Sequence, residues 1–125
     1  MRSLFVFLTA VSIASCASSG QGGPSRNRDV ITEEEIASVQ VGNAYELVQR
    51  LRPEFLRSRG SQSMRSPQGL VPVVYVDGVR QGDVGVLQRL AKDTVEEIRY
   101  LNGRDATTQY GTDHGGGAIL VRTRR

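Results

Sequence analysis

Val71-Pro72-Val73-Val74-Tyr75-Val76-Asp77-Gly78 is the stretch that decides how this chain folds. Val71–Val76 is apolar on both alternating faces, the pattern of a strand covered on two sides and therefore interior to a sheet. Pro72 has no N–H to give to a ladder, so it is expected at the first residue of that strand. Asp77-Gly78 ends the run in a tight turn, where glycine supplies positive φ at low cost.

Downstream, Asp83 is placed to cap a short helix carrying Val84, Leu87, Leu90 and Ala91. Val95–Leu101 predicts a second strand and Asn102-Gly103 its exit. Asp105–Tyr110 predicts a further helical turn closed by Gly111. Gly115-Gly116-Gly117 predicts a loop in which backbones approach closely. Ala118–Thr123 then alternates into a last strand with Ile119 and Val121 inward. Upstream, Asp29-Val30-Ile31 reads as a short extended piece. Thr32 and Glu35 form a capping box, with Ile31 and Ile36 at the staple positions and Glu33 and Glu34 suited to the helix dipole. Gly42 breaks that helix, and Asn43 with Glu46 caps a second. Its apolar face is Ala44, Leu47, Val48, Leu51 and Phe55, with a break expected at Pro53. Ser58–Gly69 reads as a loop. The fold class is α+β, a mixed sheet of about three to four strands with short helices, preceded by a helical segment.

Four pieces of this text recur in a known order. They are Val76-Asp77-Gly78, Val95–Gly103, Ala106–Gly111 and Gly117–Thr123. Together they resemble the plug domain of TonB-dependent outer-membrane receptors, in which a VDG strand end, a VExIEVLKG strand, an A…YG helical turn and a GGxIxIxT strand follow one another at similar spacing. The resemblance covers about residues 70–125 and leaves Thr32–Leu56 outside it. It implies a plug-like fold, with Asp77, Gly78, Gly103, Tyr110, Gly111, Gly117 and Ile119 as structural motif positions. The Tyr110 ring is expected to pack on the sheet while its hydroxyl reaches a partner. A receptor barrel of about 22 strands needs hundreds of residues. No pore, and so no transport by this chain alone, is expected from 125 residues.

The N-terminus addresses the chain. Arg2, the apolar run Leu4–Ile13 and the small residues before Cys16 have the parts of a secretory signal. Ile13-Ala14-Ser15-Cys16 resembles a bacterial lipobox, which implies diacylglycerol on Cys16 and cleavage before it. Simple secretion with a cut after Ala17 is one alternative. A membrane anchor is another, but Leu4–Ser15 spans roughly 18 Å as a helix, against a hydrocarbon core of about 30 Å. The expected organisation is a signal peptide at 1–15, a flexible tether at 16–28 and one plug-like domain at 29–125, with a helical segment at 29–59 and the core at 70–125. Ala17 after the cysteine, by the resembling sorting rule, implies delivery to the outer membrane.

Cys16 is the only cysteine, so the domain must hold without disulfides. The formal charge is +3, and Arg50, Arg52, Arg57, Arg59 and Arg65 crowd together. This reads as a solvated helix face, with anionic lipid as the alternative partner. The aromatic among the arginines, Phe55, belongs to the apolar helix face and is not left to stack bases, and nucleic acid is not expected. Catalysis has little support. His114 reads as a solvated loop residue, and adjacent Glu96 and Glu97 on a strand should point to opposite faces. Gly115–Gly117 precedes a strand, not a helix, and so lacks the dipole of a phosphate loop. No catalytic residue, cofactor or metal is expected. The partners expected are the lipid membrane through acylated Cys16 and an outer-membrane or envelope protein. The function expected is that of a non-catalytic binding module lipid-anchored on the periplasmic face of the outer membrane. The alternative is binding of a small ligand or glycan.

Overall fold

Local chemistry starts both helices where they were read, although the first ends at Ala37, short of Gly42. The computed structural model describes residues 27–57 and 70–125. β1 (Val30–Ile31) leads to Thr32, whose hydroxyl accepts from the Glu35 N–H while the Glu35 carboxylate accepts from the Thr32 N–H, starting α1 (Glu33–Ala37). Asn43 caps α2 (Ala44–Leu51), its Oδ1 accepting from Glu46 N–H at 2.9 Å. Arg52 leaves helical geometry ahead of Pro53, which opens a 3₁₀ turn over Pro53–Leu56 and brings Phe55 inward. The expected loop at 58–69 lies outside the described residues, as does Cys16.

The second half forms β2 (Val73–Val76), β3 (Val79–Gly82), β4 (Val95–Leu101), α3 (Gly103–Tyr110) and β5 (Ala118–Thr123). The sheet order is β1-β4-β5-β2-β3; only β2 and β5 run parallel. The α+β class and mixed sheet are therefore as expected, with five strands among the described residues where three to four were predicted. The unexpected strand is β3, which folds back on β2 through Asp77 (φ 49°) and Gly78 (φ 83°). Positive φ at both turn residues twists the chain with the strands, so the turn makes a hairpin and the chain does not pass straight to a helix. Pro72 precedes β2 and is buried beside it. The helix expected after Asp83 is instead two 3₁₀ turns, Val84–Arg89 and Lys92–Thr94.

One sheet face carries the main core. Val74, Ile98, Ile119 and Val121 meet Ile31, Ile36, Leu47, Val48 and Leu87 from the helical side, and Phe55 stacks on Tyr100 at 4.8 Å. Each fully buried aliphatic or aromatic side chain here contributes about 1.5–3 kcal/mol. The other face carries a smaller core under α3, where Val73, Tyr75 and Ala118 meet Ala106.

Candidate interaction face

Paired residues on neighbouring strands share a face. On the α3 side, the register lines up Val30, Arg99, Leu120, Tyr75 and Arg80 as one rung across all five strands. Towards Gly117, the next rung is Leu101, Ala118 and Val73, and α3 covers it. Towards the hairpin, the next rung is Glu97 opposite Arg122, which lines an open groove and has no helix over it among the described residues. This face is half roofed and half bare.

The roofed half is built on aromatic side chains. Tyr110, the last residue of α3, stacks on Tyr75 with centroids 4.4 Å apart. Gly111 (φ 104°) turns the chain back, and His114 enters beneath them. His114 is 2% exposed, which corrects its reading as a solvated loop residue. Its Nδ1 meets the Gly111 carbonyl at 3.1 Å and its Nε2 the Tyr75 hydroxyl at 2.8 Å. A carbonyl only accepts, so Nδ1 carries the proton, and in the neutral ring Nε2 accepts from Tyr75. Tyr110 packs on the sheet as expected, and its hydroxyl accepts from the Gln109 amide at 3.1 Å.

The motif glycines and Asp77 hold this face together. A Cβ on Gly103 would strike the Gly115 carbonyl, and one on Gly116 would lie 2.6 Å from Leu70 backbone. One on Gly117 would lie 2.6 Å from the Tyr100 hydroxyl oxygen. The Asp77 carboxylate accepts from Thr123 at Oγ1 (2.6 Å) and N (2.9 Å), tying the hairpin to the end of β5. These two bonds, the hydroxyl's first, hold the Asp77 pKa below the usual aspartate value.

The bare half forms an open groove of about 720 Å³ lined by Asp77, Gly78, Glu96, Glu97, Arg99, Leu120, Arg122, Thr123 and Arg125 among others. Arg122 Nη2 lies 3.0 Å from Glu96 Oε1 and 3.6 Å from Glu97 Oε2, and Arg99 Nη2 lies 3.4 Å from Glu97 Oε1. The expectation that Glu96 and Glu97 point apart is therefore corrected. The ladder slips between Val95 and Glu97, and this bulge brings both carboxylates to one guanidinium. With both arginines more than half exposed, each pair is worth about 0–1 kcal/mol. Sequence reading missed Arg99, Arg122 and Tyr75 as face residues, although their outward phase on two predicted strands and on Val71–Val76 was available as a signal.

The arginine cluster looks different in three dimensions. Arg52 is spent on Glu35 at 3.0 Å and on the carbonyls of Leu51 and Arg28. Asp29, Glu33, Glu34, Glu46 and Glu54 stand in the same described segment as Arg28, Arg50 and Arg57. Among the described residues, no three His, Cys, Asp or Glu gather to hold a metal ion, and no helix is long and apolar enough to cross a membrane.

A hairpin, a five-stranded mixed sheet roofed by one helix, and glycines at the crossings define a plug-type domain. The family model described as TonB-dependent Receptor Plug Domain matches residues 23–118. The chain belongs to that family, whose domain is a non-catalytic part of outer-membrane receptors. The match also takes in α1 and α2, which the four short motifs had left outside. Comparison with curated proteins gave no match.

Proposed function

We propose that this chain is a non-catalytic interaction module, anchored by acylated Cys16 to the periplasmic face of the outer membrane, whose plug-type domain binds through the bare half of its sheet. The observation that carries the reading is the groove itself. It is open, its floor holds Leu120, and its glutamates and Asp77 are already engaged by Arg99, Arg122 and Thr123. Carboxylates so tied suit a contact surface better than proton transfer, which needs a group free to take or give a proton. The groove's volume falls in the range of small-ligand sites, about 300–1,000 Å³, which supports the small-ligand or glycan alternative. Its openness favours a protein surface, since a small ligand is held by burying about 70–90% of its area. The anchor rests on the lipobox-like Ile13–Cys16; a cysteine of the resembling type carries more than one acyl chain, which is what stable attachment takes.

The test is Cys16→Ser in the full chain, followed by palmitate labelling and density-gradient fractionation. The wild-type protein should carry label and sediment with outer membranes, and the variant should accumulate as unlabelled precursor. A variant processed to a mature-sized, membrane-free protein would refute the anchor. Inner-membrane residence of the wild type would refute the placement.

A further inference from the structure

Where the roof of α3 gives way to the groove, charge changes from one rung to the next. Arg99 and Arg80 lie on either side of Leu120 and Tyr75 in one rung. In the next, Glu97 lies beside Arg122, with Glu96 drawn to the same guanidinium and Asp77 on the groove wall. A basic rung beside an acidic one is self-complementary. Turn a second copy over about an axis running between the two rungs, and each Arg99 comes to face the other copy's Glu97. That is the condition for an isologous contact, in which residue i meets j and j meets i. α3 covers the Gly117 end of the face and reaches the basic rung at Tyr75, through Tyr110, while Arg99 and Leu120 of that rung line the open groove.

We propose that the occupant of this face is a second copy of this chain, paired sheet to sheet across a two-fold axis through reciprocal Arg99–Glu97 contacts. The proposal rests on reading this face as an interaction surface and is independent of the lipid anchor. The groove's balance of three arginines against three carboxylates favours a partner that carries both signs over an anionic or a cationic ligand. Leu120, at the centre of the basic rung, supplies apolar contact there.

Sedimentation equilibrium of the full chain in density-matched detergent at low ionic strength tests this directly. Arg99→Glu makes the pair acidic on both sides of the axis, and Glu97→Arg makes it basic on both sides. Each variant alone should remain monomeric while the wild type reaches twice the monomer mass. An equimolar mixture of the two variants should recover the dimer, because both contacts are again between unlike charges. Thermal melts of each variant, at these partly exposed positions, separate loss of association from loss of fold. A wild type that stays monomeric overturns the proposal and leaves the interaction reading to a different partner. A variant that still self-associates, or a folded mixture that does not, also overturns it.

Discussion

Replacing His114 by phenylalanine preserves most of the ring's volume and removes both of its hydrogen bonds. The Tyr75 hydroxyl then sits beside a hydrocarbon ring, and a buried polar group without a partner costs about 1–3 kcal/mol. Tyr75→Phe has the converse effect, since it orphans His114 Nε2 at similar cost. With both replaced, neither atom remains to be satisfied, while the stack on Tyr110 keeps its apolar area. The loss of the Gly111 contact is common to the His114 single and the double variant, so it cancels in the cycle. The double variant should therefore be more stable than the sum of the singles by the two orphaning costs together, about 2–6 kcal/mol. Urea denaturation of segment 27–125 measures this. In thermal melts each kcal/mol should appear as about 4–8 °C for a domain of this size. Additivity within about 0.5 kcal/mol would show that the hydroxyl and the imidazole do not depend on each other, and the roof would need another explanation.

Two further outcomes follow from the clasp and the crossings. The Asp77 pKa is depressed on folding, so its contribution is full above the unfolded value and is lost as pH falls through the lower folded one. Thr123→Val, which removes the hydroxyl but keeps the N–H, should raise the Asp77 pKa in an NMR titration and flatten the fall in stability below about pH 4; an unmoved titration would contradict the clasp. Gly117→Ala combines a φ of 98° with a clash against Tyr100 and Leu101, and should cost at least about 1–3 kcal/mol in chemical denaturation. Gly42→Ala, where the added methyl meets only Glu46 at 3.9 Å, should stay near wild type, and equal losses at both sites would refute the close-approach argument.

What was legible in the sequence was local or periodic. Thr32 and Glu35 satisfy each other's backbone, so the start of α1 depends on nothing remote. The alternation in Ala118–Thr123 reports burial directly, with Ile119 and Val121 in the main core. β3 was not legible because Val79–Gln81 is exposed. An edge strand held by its backbone pairing with β2 leaves no apolar alternation to read. His114 was misread for a related reason. Its neighbours, Asp113 and three glycines, look solvated, whereas Tyr75, which receives it, lies 39 residues away. The Glu96–Glu97 pair was misread because period-two logic fails where the ladder slips by one residue.

The positions that carry the family resemblance join remote parts of the fold to one another. Asp77 reaches 46 residues to Thr123, Gly103 makes room for Gly115, and Gly117 passes beneath Tyr100 and Leu101. The Asp77–Thr123 and Gly117–Tyr100 contacts each link two of the four pieces, first with fourth and second with fourth, so these pieces are held together by one another. None of these positions is bound to a particular ligand, since a clasp of this kind is the same whatever the domain binds. The groups with charge to offer lie between the clasps, at Arg99, Arg122, Glu96 and Glu97 on the bare half of the sheet. Removing a clasp should therefore cost stability before it costs binding. Reversing Arg99 or Glu97 should change binding and leave the fold in place. That separation is the outcome by which the proposed interaction would be assigned to the bare half, apart from the motif that identifies the fold.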